Sequence, residues 1–250
     1  QGPENTSIAR FDGLGCYQTG SETSDGFQGA DSGKNRRPAR TGFAPVFCLS
    51  RFLRRGLFMK EPAFSICVYC GSRPGADPAF AALAAQTGQW IGQHGGQLVY
   101  GGGKNGLMGA VADATLQAGG RVIGVIPQAL VEREHAHRGC TELHVVQTMH
   151  ERKHLMAARA SAFLALPGGI GTFEEFFEAW TWRQLGYHDK PIGLLNHGGF
   201  YDGLLGFLRH SQAQGFMSAD LMGLVDVDTR PAPLLARLAS LQKQEQIQGP

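Results

Sequence analysis

From residue 64 onward, short apolar or β-branched runs alternate with longer segments of helical periodicity. They predict strands at 65–70, 97–100, 121–126, 142–147, 162–166, 191–196 and 224–227, and helices at 78–94, 107–118, 149–160, 173–185, 201–214 and 231–244. Such alternation implies right-handed crossovers between parallel strands, with helices on both faces of the sheet. The sequence therefore predicts a single α/β domain built on a doubly wound parallel sheet. Ligands of such sheets bind at the carboxyl ends of the strands.

Residues 1–60 lie outside this alternation. They are rich in Gly, Ser, Asn and Arg, and they sustain no period of 2 or 3.6 residues. The first methionine is Met59, which we interpret as the natural start of the protein. We therefore expect 1–60 to be a disordered or non-native leader and 61–245 to be the folded domain. A transit peptide is disfavoured because five acidic residues lie in the leader.

The basic excess of the chain belongs to this leader. The chain has 23 Lys and Arg and 21 Asp and Glu residues, of which residues 59–250 hold 15 and 16, a net charge of −1. This balance gives no electrostatic reason to expect nucleic acid or an anionic membrane as a partner. No apolar stretch reaches the roughly 18 residues that a membrane-spanning helix needs.

The five cysteines are too few and too scattered for a disulfide scaffold in 250 residues. We therefore expect a reducing compartment, the cytoplasm. Cys67 and Cys70 form a C-x-x-C pattern, but they lie in a predicted strand, where residues three apart point to opposite faces. A redox or metal role for this pair is accordingly disfavoured.

The first glycine-rich loop has the sequence YGGGKNGLMG at 100–109, directly after a predicted strand and at the start of a predicted helix. It contains the G-x-G-x-x-G pattern of dinucleotide sites. Such sites also need an acidic residue at the end of the next strand, which here reads IPQ at 126–128, so NAD is disfavoured. Asn105 stands where a Walker A loop has Ser or Thr. We therefore favour a tight turn with close helix packing.

The second glycine-rich loop has the sequence LPGGIGTFEE at 166–175, again between a predicted strand and a predicted helix. Glycines allow backbone N–H groups to converge on an anion, and a helix N-terminus adds free donors and partial positive charge. This loop therefore predicts a phosphate site. The alternative is a capping box, with Thr172 as N-cap and Glu175 at N3. A capping box alone leaves the three preceding glycines unexplained.

The segment TMHERKH at 148–154 contains the pattern H-E-x-x-H at a predicted helix start. In a zinc hydrolase, His150 and His154 would bind the metal and Glu151 would activate water. Against this, Arg152-Lys153 would place positive charge beside the cation, and no third ligand stands at a recognised spacing. Two other interpretations remain open, a capping box over 148–151 and an anion site at the two basic residues.

Four motifs together resemble the LOG (LONELY GUY) family: VYCGS at 68–72, YGGG with GLMG at 100–109, MHERK at 149–153 and PGGIGTFEE at 167–175. Members of this family are cytokinin riboside 5′-monophosphate phosphoribohydrolases and are often labelled lysine decarboxylases. The resemblance implies a Rossmann-like fold and a homodimer with sites near the subunit interface. It also implies hydrolysis of the N-glycosidic bond of purine nucleoside 5′-monophosphates, giving free base and ribose 5-phosphate.

By matching position, the resemblance implies catalytic roles for Arg152 and Glu175. It implies that the substrate-binding residues come from the four motifs, namely Gly71, Ser72, Gly102, Gly103, Met149, Lys153, Gly168, Gly169, Gly171 and Thr172. Arg73 departs from the family pattern, since members commonly have a second small residue there. No metal is implied.

The residue types agree with this chemistry. Cleavage of a ribosyl–purine bond passes through an oxocarbenium-like state, which needs negative charge near the sugar and a positioned water. Glu175 can supply both, and Arg152, always charged, can orient the substrate or leaving group. No cofactor is required, and no pyridoxal phosphate signature supports a decarboxylase. A non-catalytic nucleotide carrier remains the alternative, and the base, adenine or an N6-modified adenine, stays open.

The predicted helix 173–185 is apolar over more than one face. Such a helix is buried, either in the tertiary core or in a subunit interface. The second arrangement agrees with the homodimer that the resemblance implies.

Overall fold

A computed structural model describes residues 61–133 and 135–247, with side chains described up to residue 240. The predicted leader 1–60 lies outside these residues. Within them the strands are β1 Ser65–Tyr69, β2 Gln97–Tyr100, β3 Arg121–Pro127, β4 Glu142–Val146, β5 Ala162–Ala165, β6 Ile192–Leu195 and β7 Val225–Asp228. The α-helices are α1 Pro78–Gln93, α2 Gly106–Gln117, α3 Met149–Arg159, α4 Ile170–Gln184, α5 Asp202–Ala213, α6 Ala219–Gly223 and α7 Pro231–Ile247.

The described strands form one sheet in the order β4-β3-β2-β1-β5-β6-β7, and every pairing is parallel. The chain first moves outward from β1 to β4 and then returns to the other side of β1 with β5. Because the connections diverge between β1 and β5, a crevice opens at the carboxyl ends of these two strands. The predicted α/β fold is confirmed, and its topology places the binding crevice at a defined position.

Helices cover the sheet on both faces. Buried residues of α1, α2 and α7 pack against one face, and those of α3, α4 and α5 pack against the other. Cys67 and Cys70 contribute to opposite cores, as their spacing predicted. Burial raises the pKa of both thiols, so each remains protonated and unreactive.

The short helix α6 is an element that periodicity did not predict. It packs beside α4, where the indole N–H of Trp180 donates to the carbonyl of Leu221 at 3.2 Å. Arg183 likewise donates through Nη1 to the carbonyl of Leu224 at 2.7 Å. These tertiary bonds satisfy backbone carbonyls of a segment too short to form a stable helix by itself.

Helix α4 buries only part of its apolar surface within the chain. Phe176, Ala179 and Trp180 lie in the core, whereas Leu185, directly after the helix, is 60% exposed. The tertiary core therefore covers the middle of the 173–185 segment, and burial of its end in a subunit interface stays a prediction. In the described residues, no helix has the length and apolarity needed to traverse a bilayer.

Candidate active site

A cavity of about 390 Å³ opens in the crevice at the ends of β1 and β5. Its walls come from the loop after β1, the loop after β5 and the first turns of α2 and α4. This volume lies in the range of small-molecule sites, and the position is the one that doubly wound sheets use for ligands. The cavity is therefore the candidate active site.

The loop after β5 forms one wall and leads directly into α4. A Cβ atom on Gly169 or Gly171 would meet no atom within 4 Å, so the backbone of both faces open space. A Cβ on Gly168 would instead overlap the Thr172 side chain and lie 2.9 Å from the backbone nitrogen of Gly71. Gly168 is thus required by the packing of the two loops, and the other two glycines leave the backbone accessible to a ligand.

The N-terminus of α4 is free to bind an anion. Gly169 is the N-cap, no side chain caps the helix, and the first turn contains no acidic residue. The first N–H groups of a helix lack intrahelical partners and carry partial positive charge. Together with the accessible loop backbone, they form a cradle suited to a phosphate group.

The alternative capping box at Thr172 and Glu175 is wrong. The helix begins at Ile170, three residues earlier than predicted, because the glycine loop turns directly into helical geometry. Thr172 therefore lies within the first turn, where its side chain is buried against Gly168. Glu175 lies one turn further along, where its carboxylate cannot cap the helix and lines the cavity instead.

Arg152 reaches the cavity from α3 and is 6% exposed. Its Nε donates to the carbonyl of Val125 at 3.2 Å and its Nη2 to the carbonyl of Gly101 at 3.1 Å. A Cβ on Gly101 would overlap Nη2. The first glycine loop therefore serves the close approach of this guanidinium, which explains its glycine without a dinucleotide.

The two residues with implied catalytic roles meet at the cavity. The Nη1 atom of Arg152 lies 3.7 Å from Oε1 of Glu175, and the side chains are 8% and 12% exposed. Because both side chains are largely shielded from water, the pair acts on a bound ligand more strongly than the same pair would in water. The structure thus brings together a fixed cation and a carboxylate beside the phosphate cradle.

Lys153 does not line the cavity. Its Nζ bridges to Oε1 of Glu174 at 2.6 Å and to Oε1 of Glu178 at 2.9 Å, which joins α3 to α4. Burial alone would lower the pKa of Lys153, but the two carboxylates raise it above its usual range. The ammonium group is therefore engaged between the helices that carry Arg152 and Glu175.

The other residues expected to bind substrate divide into two groups. Gly71 and Ser72 line the cavity together with the second glycine loop. Gly102 and Gly103 do not, because the first packs against β3 and the second pairs with Ala136. Met149, which is 42% exposed, lies outside the cavity with its sulfur 3.9 Å from Nη1 of Arg152.

The H-E-x-x-H segment forms the start of a capped helix. Thr148 and Glu151 make the predicted capping box, and the Glu151 carboxylate accepts backbone N–H groups of Gln147 and Thr148 at 2.8 and 3.3 Å. Its carboxylate is thereby committed to the backbone, away from any zinc-bound water. In the described part of the chain, no three metal-ligating side chains are grouped.

An aromatic wall of the cavity was missed by sequence reasoning. Phe80 from α1 and Phe200, just before α5, meet edge to face with ring centroids 5.6 Å apart. Neither residue belongs to a motif, and they are 120 positions apart in the chain. No local pattern could have paired them. Such rings offer a purine an apolar surface for stacking.

Comparison with known proteins shows which family the chain belongs to. A family model described as "Possible lysine decarboxylase" matches residues 108–238. A cytokinin riboside 5′-monophosphate phosphoribohydrolase of Rhodococcoides fascians is 49% identical over 155 residues, covering 62% of this chain and 78% of the relative. The chain belongs to the LOG family. A probable LOG-family phosphoribohydrolase of Oryza sativa subsp. japonica, LOGL1, is 44% identical over 185 residues, 74% of this chain and 83% of the relative.

A further LOG-family relative is the phosphoribohydrolase LOG2 of Arabidopsis thaliana, 44% identical over 173 residues, covering 69% of this chain and 81% of the relative. The resemblance seen in the four sequence motifs is thereby confirmed. The LOG-family fold also recurs among solved structures. The Moco carrier protein of Chlamydomonas reinhardtii matches with a TM-score of 0.55 at 22% identity, covering 72% of this chain and 98% of that chain.

The molybdenum cofactor binding protein of Rippkaea orientalis matches with a TM-score of 0.53, also at 22% identity, covering 73% of this chain and 98% of that chain. At this identity the likeness to both proteins shows a shared fold alone. Function within the LOG-family fold must therefore be argued from the side chains of the cavity.

Proposed function

We propose that the protein hydrolyses the N-glycosidic bond of purine nucleoside 5′-monophosphates, releasing free base and ribose 5-phosphate. The observation that carries this proposal is the approach of Arg152 and Glu175 to 3.7 Å at a cavity whose rim is an uncapped helix N-terminus. The names of the LOG-family relatives support the same reaction. AMP and N6-modified AMP are the substrates to which we assign it.

The substrate phosphate binds at the cradle of Gly168, Gly169, Gly171 and Thr172. Backbone N–H groups and the start of α4 neutralise part of its charge without a metal ion. Phosphate binding also holds the attached ribose in one place, so the binding energy of a non-reacting group orients the reacting carbon. Gly71 packs directly beside Gly168, and Gly71 and Ser72 line the same cavity next to this subsite.

Glu175 acts on the ribose. As the C1′–N bond breaks, positive charge develops on the ring oxygen and C1′, and a carboxylate close to them lowers the energy of that state. The same carboxylate can accept a hydrogen bond from the attacking water. One turn of helix separates Glu175 from the phosphate cradle, so α4 carries both functions on one rigid element.

Arg152 orients the other reactants. Its Nε and Nη2 donate to the carbonyls of Val125 and Gly101, and its Nη1 lies in ion-pair range of Glu175, so the guanidinium cannot rotate freely. An arginine remains protonated throughout the reaction, so its role is electrostatic rather than that of a proton donor. It holds the Glu175 carboxylate in place and polarises the departing base.

The phosphoribohydrolase works as a homodimer in this proposal. Support comes from the exposed apolar side chains at the end of α4, where Leu185 is 60% and Tyr187 is 75% exposed. Side chains of this kind are commonly covered by a second subunit. The described cysteines, all free thiols, support a reducing, cytoplasmic location. In this proposal residues 61–245 form the folded domain, and the protein has neither nucleic acid nor a membrane as a partner.

Release of free base tests the proposed reaction. The purified protein is incubated with AMP, an N6-isopentenyl AMP and adenosine, and the free bases are separated by chromatography. We expect base release from the two nucleotides and little from adenosine, because the nucleoside leaves the phosphate cradle empty. Tight nucleotide binding without release of any base would instead favour the carrier alternative.

A further inference from the structure

Two basic side chains line the cavity, and they differ in how they are held. Arg73 and Arg152 stand against a single acidic residue, Glu175, among the lining residues. A phosphate monoester carries a charge of about −1.5 to −2 near neutral pH. The charge of the bound phosphate therefore requires more compensation than the helix N-terminus alone provides.

Arg152 cannot move to meet the phosphate. Its guanidinium is buried, it donates to two backbone carbonyls, and it lies 3.7 Å from Glu175. Its positive charge is balanced by that carboxylate. Turning it toward the cradle would leave the carbonyls of Val125 and Gly101 without their donors, which is unfavourable for buried groups.

Arg73 has the opposite properties. It is exposed at the mouth of the cavity, and the described residues offer it neither a hydrogen bond nor an ion pair. Arginine has five donors in a planar fork, which binds phosphate oxygens in a bidentate manner. Of the described cations that line the cavity, it is therefore the one whose donors remain available to a ligand.

The backbone beneath Arg73 is fixed against the phosphate cradle. The N–H of Gly71 donates to the carbonyl of Pro167 at 3.1 Å, and the N–H of Leu107 donates to the carbonyl of Gly71 at 3.1 Å. Gly106, with φ +58°, packs so closely on Ser72 and Arg73 that a Cβ atom would overlap their backbone. The loop that carries Arg73 is thus held between the β5–α4 loop and α2, and the long side chain alone must reorient to reach the cradle.

We propose that Arg73 is a specificity-determining residue that binds the 5′-phosphate of the substrate across the cavity from the Gly168–Thr172 cradle. This proposal rests on the proposed function, because it assigns the anion to a nucleotide. Arg73 supplies the mobile positive charge that the buried Arg152 cannot, and it thereby favours nucleotides over nucleosides. The cradle then holds the phosphate from one side and a guanidinium holds it from the other.

The test separates anion binding from turnover. Calorimetric titration with ribose 5-phosphate is compared for the wild type, Arg73→Ala, Arg73→Lys and the control Arg133→Ala, which removes an exposed arginine outside the cavity. We expect Kd to rise by about tenfold or more for the alanine variant and by less for the lysine variant, since lysine keeps the charge without the fork. The control should match the wild type.

Kinetics supply a second readout. For Arg73→Ala we expect a raised KM for AMP, a nearly unchanged kcat and unchanged slow turnover of adenosine, because Arg73 does not touch the bond that breaks. An unchanged Kd for ribose 5-phosphate, its undetectable binding to the wild type, or an equal loss with AMP and adenosine would overturn the proposal. If the wild type binds ribose 5-phosphate through Arg73 but releases no base, the phosphoribohydrolase assignment fails and the anion site stands.

Discussion

Substitution of Glu175 by Gln tests the catalytic assignment most directly. The change keeps the size of the side chain and removes its charge. At an effective dielectric constant of about 20, a carboxylate about 4 Å from the developing positive charge contributes roughly 4 kcal/mol. The side chains of Arg152 and Glu175 are 8% and 12% exposed, so we discount that value for residual solvent to about 3 kcal/mol. The expected result is a fall in kcat of about 10²-fold or more.

Stability should change little in the same variant. The ion pair with Arg152 is long, at 3.7 Å, and Arg152 keeps its two carbonyl partners. The neutral glutamine also avoids the desolvation penalty that offsets most of the attraction in a buried ion pair. We therefore expect a loss below about 1 kcal/mol, which is under about 4 °C in Tm for a domain of this size. The assays are base release from AMP under saturating conditions and thermal unfolding followed by circular dichroism.

Glu174→Gln is the matched control for this experiment. It removes the same charge from the preceding position of α4, but Glu174 is directed to Lys153 and does not line the cavity. We expect it to keep kcat within about threefold, because Glu178 still binds Lys153. Near-normal turnover in Glu175→Gln together with an early melting transition would refute the reasoning, since Glu175 would then be a structural residue.

Four further predictions concern other parts of the chain. Lys153→Met keeps the alkyl stem but removes both bridges to α4, and we expect Tm to fall by about 3 °C, roughly 1 kcal/mol, with a parallel loss of kcat. Phe200→Ala should raise KM for AMP about tenfold, since aromatic stacking on a base contributes about 1–3 kcal/mol. Burial lowers the pKa of His188, so on acidification this imidazole takes up a proton in the unfolded chain before it does so in the folded one. The stability that the neutral, buried imidazole contributes is therefore complete above about pH 6.5 and is lost as the pH falls through the folded-state pKa. His188→Gln should therefore flatten the decline of Tm below pH 6.5. A chain that starts at Met59 should melt and turn over like the full chain, because the composition of 1–58 favours disorder over packing on the domain.

Each of these expectations has a clear contrary outcome. An unchanged Tm in Lys153→Met would mean that the bridges between α3 and α4 contribute nothing to the fold. A KM for AMP unaffected by Phe200→Ala would place the base elsewhere in the cavity. Equal pH profiles for the wild type and His188→Gln would show that the folded-state pKa of His188 equals its unfolded value. A lower Tm without 1–58 would show that these residues pack on the folded domain.

The sequence by itself determined the fold and the place of the site. Apolar runs such as 97–100 and 162–166 are continuous rather than alternating because the strands are buried on both faces. The helices between them are periodic because each has one face on the sheet. These are local signals. The loop at 166–175 likewise predicts an anion site from its own sequence, since glycines before a helix start leave a set of unpaired N–H groups.

Only the tertiary structure decided which residues share the cavity. Gly101 looks like part of a nucleotide-binding loop. Its role is to let the guanidinium of Arg152, 51 positions later in the chain, reach the Gly101 carbonyl. Lys153 adjoins Arg152 in the chain, but helical geometry directs it to Glu174 and Glu178 and away from the cavity. Neighbours on a helix diverge by about 100°, whereas residues far apart in the chain meet wherever parallel strands end side by side. For that reason the motifs located the site, and packing selected its members.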